Sequence, residues 1–340
     1  MSTRSREVHL AARPHGAPTM ANFAFVETDV RSPTTGEVQV RNLFFSVDPY
    51  MRGRMNDAKS YVPPFRVGEV MTGAAVGEVV ASASDRLAVG DVVVHQHGWR
   101  EYAVAAAGDF RRVDVSAVPS PSVYLGVLGG TGFTAHYGLH EAAGMRAGDV
   151  VFVSAAAGAV GSIAGQLAKL GGASRVVGSA GTAAKVQYVT GTLGFDAAFN
   201  YKDGPAVKQL AAAAPDGIDV YFDNVGGEQL EAAIAVMNDF GRIAACGAVS
   251  VYNATEPPPG PRNLFQIVQK RLTVRGFIIR DHYDRYGEFL GAVGPLLRDG
   301  KLSYEETIVD GVDNAPDAFI AMLDGANTGK TLVRTSSARR

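Results

Sequence analysis

A two-domain α/β protein, with a doubly wound six-stranded parallel sheet beside a second, β-rich domain, is the fold class that three observations predict. First, 340 residues exceed what one ordinary hydrophobic core supports, and 46% hydrophobic with 19% charged residues is the composition of a folded chain. Second, the text up to about residue 120 consists of short β-type runs separated by Gly, Pro and Asp. Third, from about Ser122 continuous apolar runs alternate with helical patterns.

In the first stretch "EVQVRNLFFSV" (37–47) alternates, and "GAAVGEVVAS" (73–82) and "GDVVVHQ" (90–96) are short β-branched runs. No helical period is sustained there, which predicts a partly open barrel or antiparallel sheet. Six apolar runs follow, at 150–154, 175–179, 197–200, 218–223, 242–247 and 272–277. Such runs fit strands buried on both faces of a parallel sheet. Between the first two, Val160, Ile163, Ala164, Leu167 and Ala168 recur at helical spacing, predicting an amphipathic helix. The tail returns to strand-like text, "EETIVDG" (305–311) and "GKTLVRT" (329–335). It is expected to rejoin the first domain, giving one discontinuous domain of 1–122 and 311–340 around another of 123–310.

Composition narrows the function classes. Lys+Arg (32) and Asp+Glu (34) leave a net charge of -2, so no electrostatic case exists for nucleic acid or an anionic membrane. No apolar run approaches the roughly 20 residues of a bilayer span, and the N-terminal text lacks a secretory apolar core, so the expected location is cytoplasmic. Cys246 is the single cysteine. It excludes an intramolecular disulfide or a four-cysteine zinc site, and "GRIAACGAVS" makes it an inert core thiol at a strand end.

"DVVFVSAAAGAVGS" (149–162) carries the dinucleotide frame G-x-G-x-x-G as Ala156-Ala157-Gly158-Ala159-Val160-Gly161, with alanine in the first place. It follows an apolar strand and opens a helix, as the mechanism requires. Gly158 admits a pyrophosphate to the backbone, Gly161 lets helix pack on sheet, and the helix N-terminus offers N–H groups to phosphates. The first position needs only a tight turn, which alanine makes at negative φ. An NAD site wants a carboxylate about 20 residues on. Here no acidic residue occurs between Asp149 and Asp196; Gly181, the Thr182 hydroxyl and Lys185 stand instead. A lysine and a hydroxyl suit a 2′-phosphate that a carboxylate would repel, which favours NADP(H) over a merely solvated Lys185.

These segments, with "VDPYMRGRM" (47–55), "GEVMTGAAVGEVVAS" (68–82), "GWREYAV" (98–104), "LGVLGGTGFTAHYGL" (125–139), "GFDAAFNYK" (194–202), "DNVGGEQL" (223–230), "CGAVSVYN" (246–253), "VRGFI" (274–278) and "GKTLV" (329–333), cover nearly the whole chain in order. The chain resembles the zinc-independent medium-chain dehydrogenase/reductases, and within them the alkenal/one double-bond reductases. The resemblance implies a GroES-like catalytic domain plus a Rossmann domain, and a homodimer, often paired at the sheet edge near strand six. It assigns Gly158 to Gly161 to the pyrophosphate, and Lys185 and Tyr201 to the 2′-phosphate. Asn224, the segment Cys246, Gly247, Ala248, Val249 and Ser250 through to Tyr252, the backbone of Phe277, Ile278 and Ile279, and Asn327 become further cofactor contacts.

Carbonyl-reducing relatives of this architecture use zinc held by thiolate and imidazole. One Cys and seven His offer no such set; "HQH" (95–97) lacks a third ligand and reads as a solvated loop or strand edge. A site without metal fits hydride addition to the β-carbon of an α,β-unsaturated ketone or aldehyde, where charge spreads onto oxygen as an enolate. Tyr252 is the candidate donor to that oxygen, together with the ribose 2′-hydroxyl, and Tyr50 a second candidate for lining the substrate pocket. An NADPH quinone reductase and a non-catalytic NADPH-binding protein are the alternative readings. "NATEPPPGPRN" (253–263) is expected to border the pocket, and "RDHYDRYGEF" (280–289) is either a solvated helix face or the pocket's far wall.

Overall fold

The structure, a computed structural model, describes Thr3–Thr335. Its contacts separate two compact units, one of residues up to 126 with 306–327 and from 331, the other of 127–305 with 328–330. Those junctions fall at 126/127 and 305/306, a few residues from the expected 122/123 and 310/311.

The first unit holds β1 (Arg4–Leu10), β2 (Phe23–Asp29), β3 (Glu37–Ser46), α1 (Tyr50–Arg54), β4 (Ala75–Ser82), β5 (Val92–His95), β6 (Tyr102–Ala106) and β7 (Arg111–Arg112). β1 and β2 pair antiparallel. Along β3 buried and half-buried residues alternate, the signature of a sheet covered on one face. Trp99, fully buried, anchors the core among Phe23, Phe45 and Phe319, with ring centroids 6.3, 5.9 and 6.0 Å away.

The second unit runs through α2 (Gly130–Tyr137), β8 (Val150–Val153), α3 (Gly161–Leu170), β9 (Arg175–Ala180), α4 (Ala183–Gly191), β10 (Ala197–Asn200), α5 (Ala206–Ala213), β11 (Ile218–Asp223), α6 (Gly227–Val236), β12 (Met237–Ala245), α7 (Phe265–Gln269), β13 (Thr273–Gly276) and α8 (Tyr286–Arg298). The six strands are parallel in the order β10-β9-β8-β11-β12-β13, the doubly wound sheet that the sequence predicts. Strands β8, β9 and β11 are largely buried as read, but β10 at one edge buries only Phe199, and all four residues of β13 at the other edge are exposed. Both are edges of the sheet, so their apolar text does not mean burial on two faces. α3 departs the other way. Every residue from Gly161 to Ala168 is buried, not one stripe, because Gly165 lies against the Phe195 ring and Gln166 bonds the Ser303 backbone at both N–H and C=O.

The tail adds β14 (Glu306–Asp310), α9 (Ala315–Leu323) and β15 (Lys330–Arg334). β15 pairs with β3, completing a sheet of order β14-β15-β3-β4-β5-β7, with β6 also on β3. Among the described residues no helix is long and apolar enough to cross a membrane.

Candidate active site

Sheet order reverses at β8, whose successor β9 lies on one side and β11 on the other. Helices must therefore leave in opposite directions, and a crevice opens beyond the carboxyl ends of these strands. Four segments of the second unit meet there.

The turn after β8 is tight. The Gly158 N–H closes on the Ala155 carbonyl at 2.9 Å, and the Ala156 N–H bonds the Ser179 carbonyl of β9 at 2.9 Å. A Cβ on Gly158 would lie 3.2 Å from the Ala155 oxygen, and one on Gly161 would collide with that same carbonyl. Both glycines are dictated by this close backbone approach. The left-handed residue is Ala155, at φ 50°, while Ala156 keeps the ordinary hand. Ala159 and Val160 complete the half-buried turn, and the Gly329 N–H caps it on the Ala157 carbonyl at 2.8 Å.

After β9, Thr182 caps α4 by accepting the Lys185 N–H at 3.3 Å. The Tyr201 ring covers Gly181 so closely that a Cβ there would lie 3.2 Å from the ring edge. Burial, and then the nearby Lys202 charge, lower the pKa of the Lys185 ammonium. Lys202 also stands 5.8 Å from the Tyr201 ring centroid. The sequence reading missed Lys202, although it follows Tyr201 directly in "NYK". Two cations and a phenol thus share one corner, an anion-binding arrangement.

β11 ends in a buried polar hub. The Asp223 carboxylate Oδ1 accepts from the Tyr221 hydroxyl at 2.7 Å, the Val225 N–H at 2.9 Å and the Gly226 N–H at 2.7 Å. Burial raises its pKa against those three donors. Gly226 and Gly227, at φ 69° and 52°, make the turn that only glycine takes readily. Asn224 is turned inward. Its Nδ2 donates to the Ser154 carbonyl at 2.8 Å and its N–H to Ser154 Oγ at 2.9 Å, locking the ends of β8 and β11 together.

The segment after β12 is zipped onto that turn. The Cys246 and Gly247 N–H groups bond the Asp223 carbonyl at 2.9 and 3.0 Å, Val249 bonds Asn224, and Ser250 bonds the Val225 carbonyl through both N–H and Oγ. Ala248 sits beside Gly226, 3.2 Å from where its Cβ would be. Tyr252 folds back over the segment, its hydroxyl against Gly247. Burial raises its pKa, as do the neighbouring Cys246 and Asp223, while the Ala248 backbone opposes them. Cys246 is not fully covered as a residue, yet burial of its thiol beside Asp223 pushes it up to about 12.

Beyond β13 the Phe277 ring packs against Gly138, with Tyr137 5.5 Å and Phe222 6.5 Å away, leaving Ile278 and Ile279 half-buried at the strand end. The segment 280–289 is a wall of this unit on one side. His282 stacks on Tyr137 at 4.0 Å, and Phe133 meets Tyr283, Tyr286 and Phe289. Its other side stays in solvent. The proline-rich loop is exposed and fixed at its end by Arg262 on Glu231, 2.8 Å.

Tyr50 and Asn327 belong to the first unit. Tyr50 opens α1, its phenol shifted upward by burial first and then by the Asp48 charge, against the opposing charge of Arg54 one turn on. Asn327 directly precedes the 328–330 segment that caps the glycine turn. His95 corrects an expectation. It is buried, not solvated, because its ring lies 4.9 Å from Phe110 and 5.8 Å from His97, and its Nδ1 accepts the His97 N–H at 3.1 Å. Among the described residues no group of three or more His, Cys, Asp or Glu is placed to hold a metal ion.

Two family models match: "N-terminal domain of oxidoreductase" over residues 6–113 and "Zinc-binding dehydrogenase" over 159–293. The NADPH-dependent curcumin reductase of Escherichia coli is 43% identical over 338 residues, 98% of this chain and 97% of its own. The 2-alkenal reductase (NADP(+)-dependent) of Nicotiana tabacum is 42% identical, covering 89% and 88%. The crystal structure of CurA from Vibrio vulnificus in complex with NADPH superposes with a TM-score of 0.93 at 44% identity, covering 97% of this chain and 99% of that one.

Proposed function

The chain belongs to the medium-chain dehydrogenase/reductase family, in its alkenal/one double-bond reductase group, and on that premise we propose that it reduces the carbon–carbon double bond of α,β-unsaturated ketones and aldehydes. It is an NADP(H)-dependent oxidoreductase. The observation that carries the reading is the corner after β9, where Lys185 and Lys202 flank Tyr201 and the second strand ends without the carboxylate of an NAD site. The tight glycine turn at Gly158 and Gly161, opening α3, suits a pyrophosphate, and this corner suits a 2′-phosphate. Asn224, the segment from Cys246 to Ser250 and the backbone of Phe277 to Ile279 would line the nicotinamide half. Asn327 would add a contact from the tail.

Bound NADPH supplies the hydride that reaches the β-carbon. The protein's own task is the oxygen, where negative charge collects. The Tyr252 hydroxyl is the donor in this reading, and burial keeps its proton on at neutral pH. Such a preorganised donor contributes on the order of 3 kcal/mol to the transition state in a dry site. Tyr50, with its phenol likewise kept protonated, would line the substrate pocket. The proposed reaction runs without zinc, the substrate oxygen being met by hydroxyl groups rather than by a metal ion.

A cytoplasmic homodimer completes the proposal. The exposed edge β13 supports pairing there, flanked by Phe240, Phe265 and Val268, which are 64%, 70% and 67% exposed. Oxidation of NADPH against a panel of enals, enones and quinones, with product analysis, tests the chemistry. Saturated carbonyl products are expected. An allylic alcohol, or turnover of quinones alone, would replace this reading with carbonyl or quinone reduction.

A further inference from the structure

The proposed mechanism leaves the buried carboxylate of Asp223 unused. Asp223 is 2% exposed, and a carboxylate taken out of water persists only where donors and packing repay its desolvation. Here three do: the Tyr221 hydroxyl and the Val225 and Gly226 N–H groups, all on one oxygen. The same residue's carbonyl takes two more, from Cys246 and Gly247. Side chain and main chain therefore face different segments. The carboxylate holds the turn after β11, and the carbonyl holds the start of the segment whose far end carries Tyr252. Ser250 then ties that segment to the Val225 carbonyl, closing a ring of bonds through the turn that Asp223 shapes. The Tyr252 hydroxyl rests against Gly247, one of the two residues that the Asp223 carbonyl anchors.

We infer that Asp223 is a positioning residue for Tyr252, clamping the 224–227 turn and the 246–252 segment into one rigid body so that the phenol is held where it donates. The inference rests on the reading of Tyr252 as the donor to substrate oxygen. Asn224 is held on Ser154 independently of the Asp223 carboxylate. Replacing the carboxylate by an amide keeps the shape and an acceptor oxygen, but charge-assisted bonds become neutral ones of about half the strength. The turn loosens without a cavity.

The test is a kinetic cycle on the full chain with Asp223→Asn, Tyr252→Phe and the pair. Asp223→Asn should lower kcat about 10-fold, and in the Tyr252→Phe background it should have no further effect on kcat. Asp223→Ala, which also removes the acceptor, should bring kcat close to the Tyr252→Phe value if it folds; Asp223→Asn decides the matter if it does not. Full multiplication of the two losses in the pair overturns the inference and leaves Tyr252 in place, because Asp223 then acts on something else. Unchanged kcat in Asp223→Asn overturns it as well. An unchanged kcat in Tyr252→Phe alone removes the reading beneath it.

Discussion

The proposed function assigns the substrate oxygen to Tyr252 and the 2′-phosphate to Lys185, and each assignment makes a separable prediction. Tyr252→Phe removes one O–H and little else, so kcat should fall roughly 100-fold. NADPH affinity, read by fluorescence titration, should hold. Lys185→Met should weaken NADPH about 10-fold through the loss of a charge-assisted contact, while NADH binding stays level. Equal losses for both cofactors would place Lys185 away from the 2′-phosphate. Cys246 makes a third. With its thiol held up at about 12 by burial beside Asp223, thiolate is scarce at pH 8, and maleimide should label it at least about 100-fold more slowly than a free thiol until urea unfolds the chain. Rapid labelling of the folded protein would contradict the burial.

At the scale of elements, the β8–α3 turn is the most constrained piece. Gly161→Ala drives a methyl into the Ala155 carbonyl, so a stability loss of about 1–3 kcal/mol and loss of NADPH binding are expected in urea melts and titrations. Ala155→Gly acts in reverse. A left-handed alanine costs about 1–2 kcal/mol, and glycine removes that strain at some loss of chain entropy, so stability should hold or rise by up to about 1 kcal/mol. A clear fall would mean that the Ala155 methyl packs more than it strains. This turn also shows how far a motif is legible. The sequence located the two glycines and the tolerated alanine at 156. It did not locate the left-handed residue one place earlier, because backbone strain depends on where the Ser179 and Ala157 bonds pull the chain.

Across the whole molecule the histidines set the acid limit. Burial lowers the pKa of His95, His97, His136 and His140, the third to about 4. Unfolded histidine binds its proton near 6.5, so between that value and the folded pKa the unfolded chain holds more protons. Stability is fully present above about pH 6.5 and is lost as the pH falls through the range below it. Asp223, raised by burial, has the opposite sign and offsets a little of this loss at the acid end. Thermal melts from pH 8 to pH 5 should show a falling Tm, and a flat profile would contradict the burial of these rings.

The order of apolar runs and their periods determined, without any coordinates, that this chain builds a doubly wound sheet and a β-rich partner, because strand burial and helix spacing are local properties of the text. The absent carboxylate between Asp149 and Asp196 was equally a matter of sequence, since a missing charge needs no geometry to be noticed. Tertiary structure alone decided that His95 is buried, that α3 is enclosed on all sides while β13 lies bare, and that Lys202 joins Lys185. It also decided that Asp223 binds two segments at once. Those outcomes depend on which elements become neighbours, and neighbours distant in sequence leave no periodic trace in it.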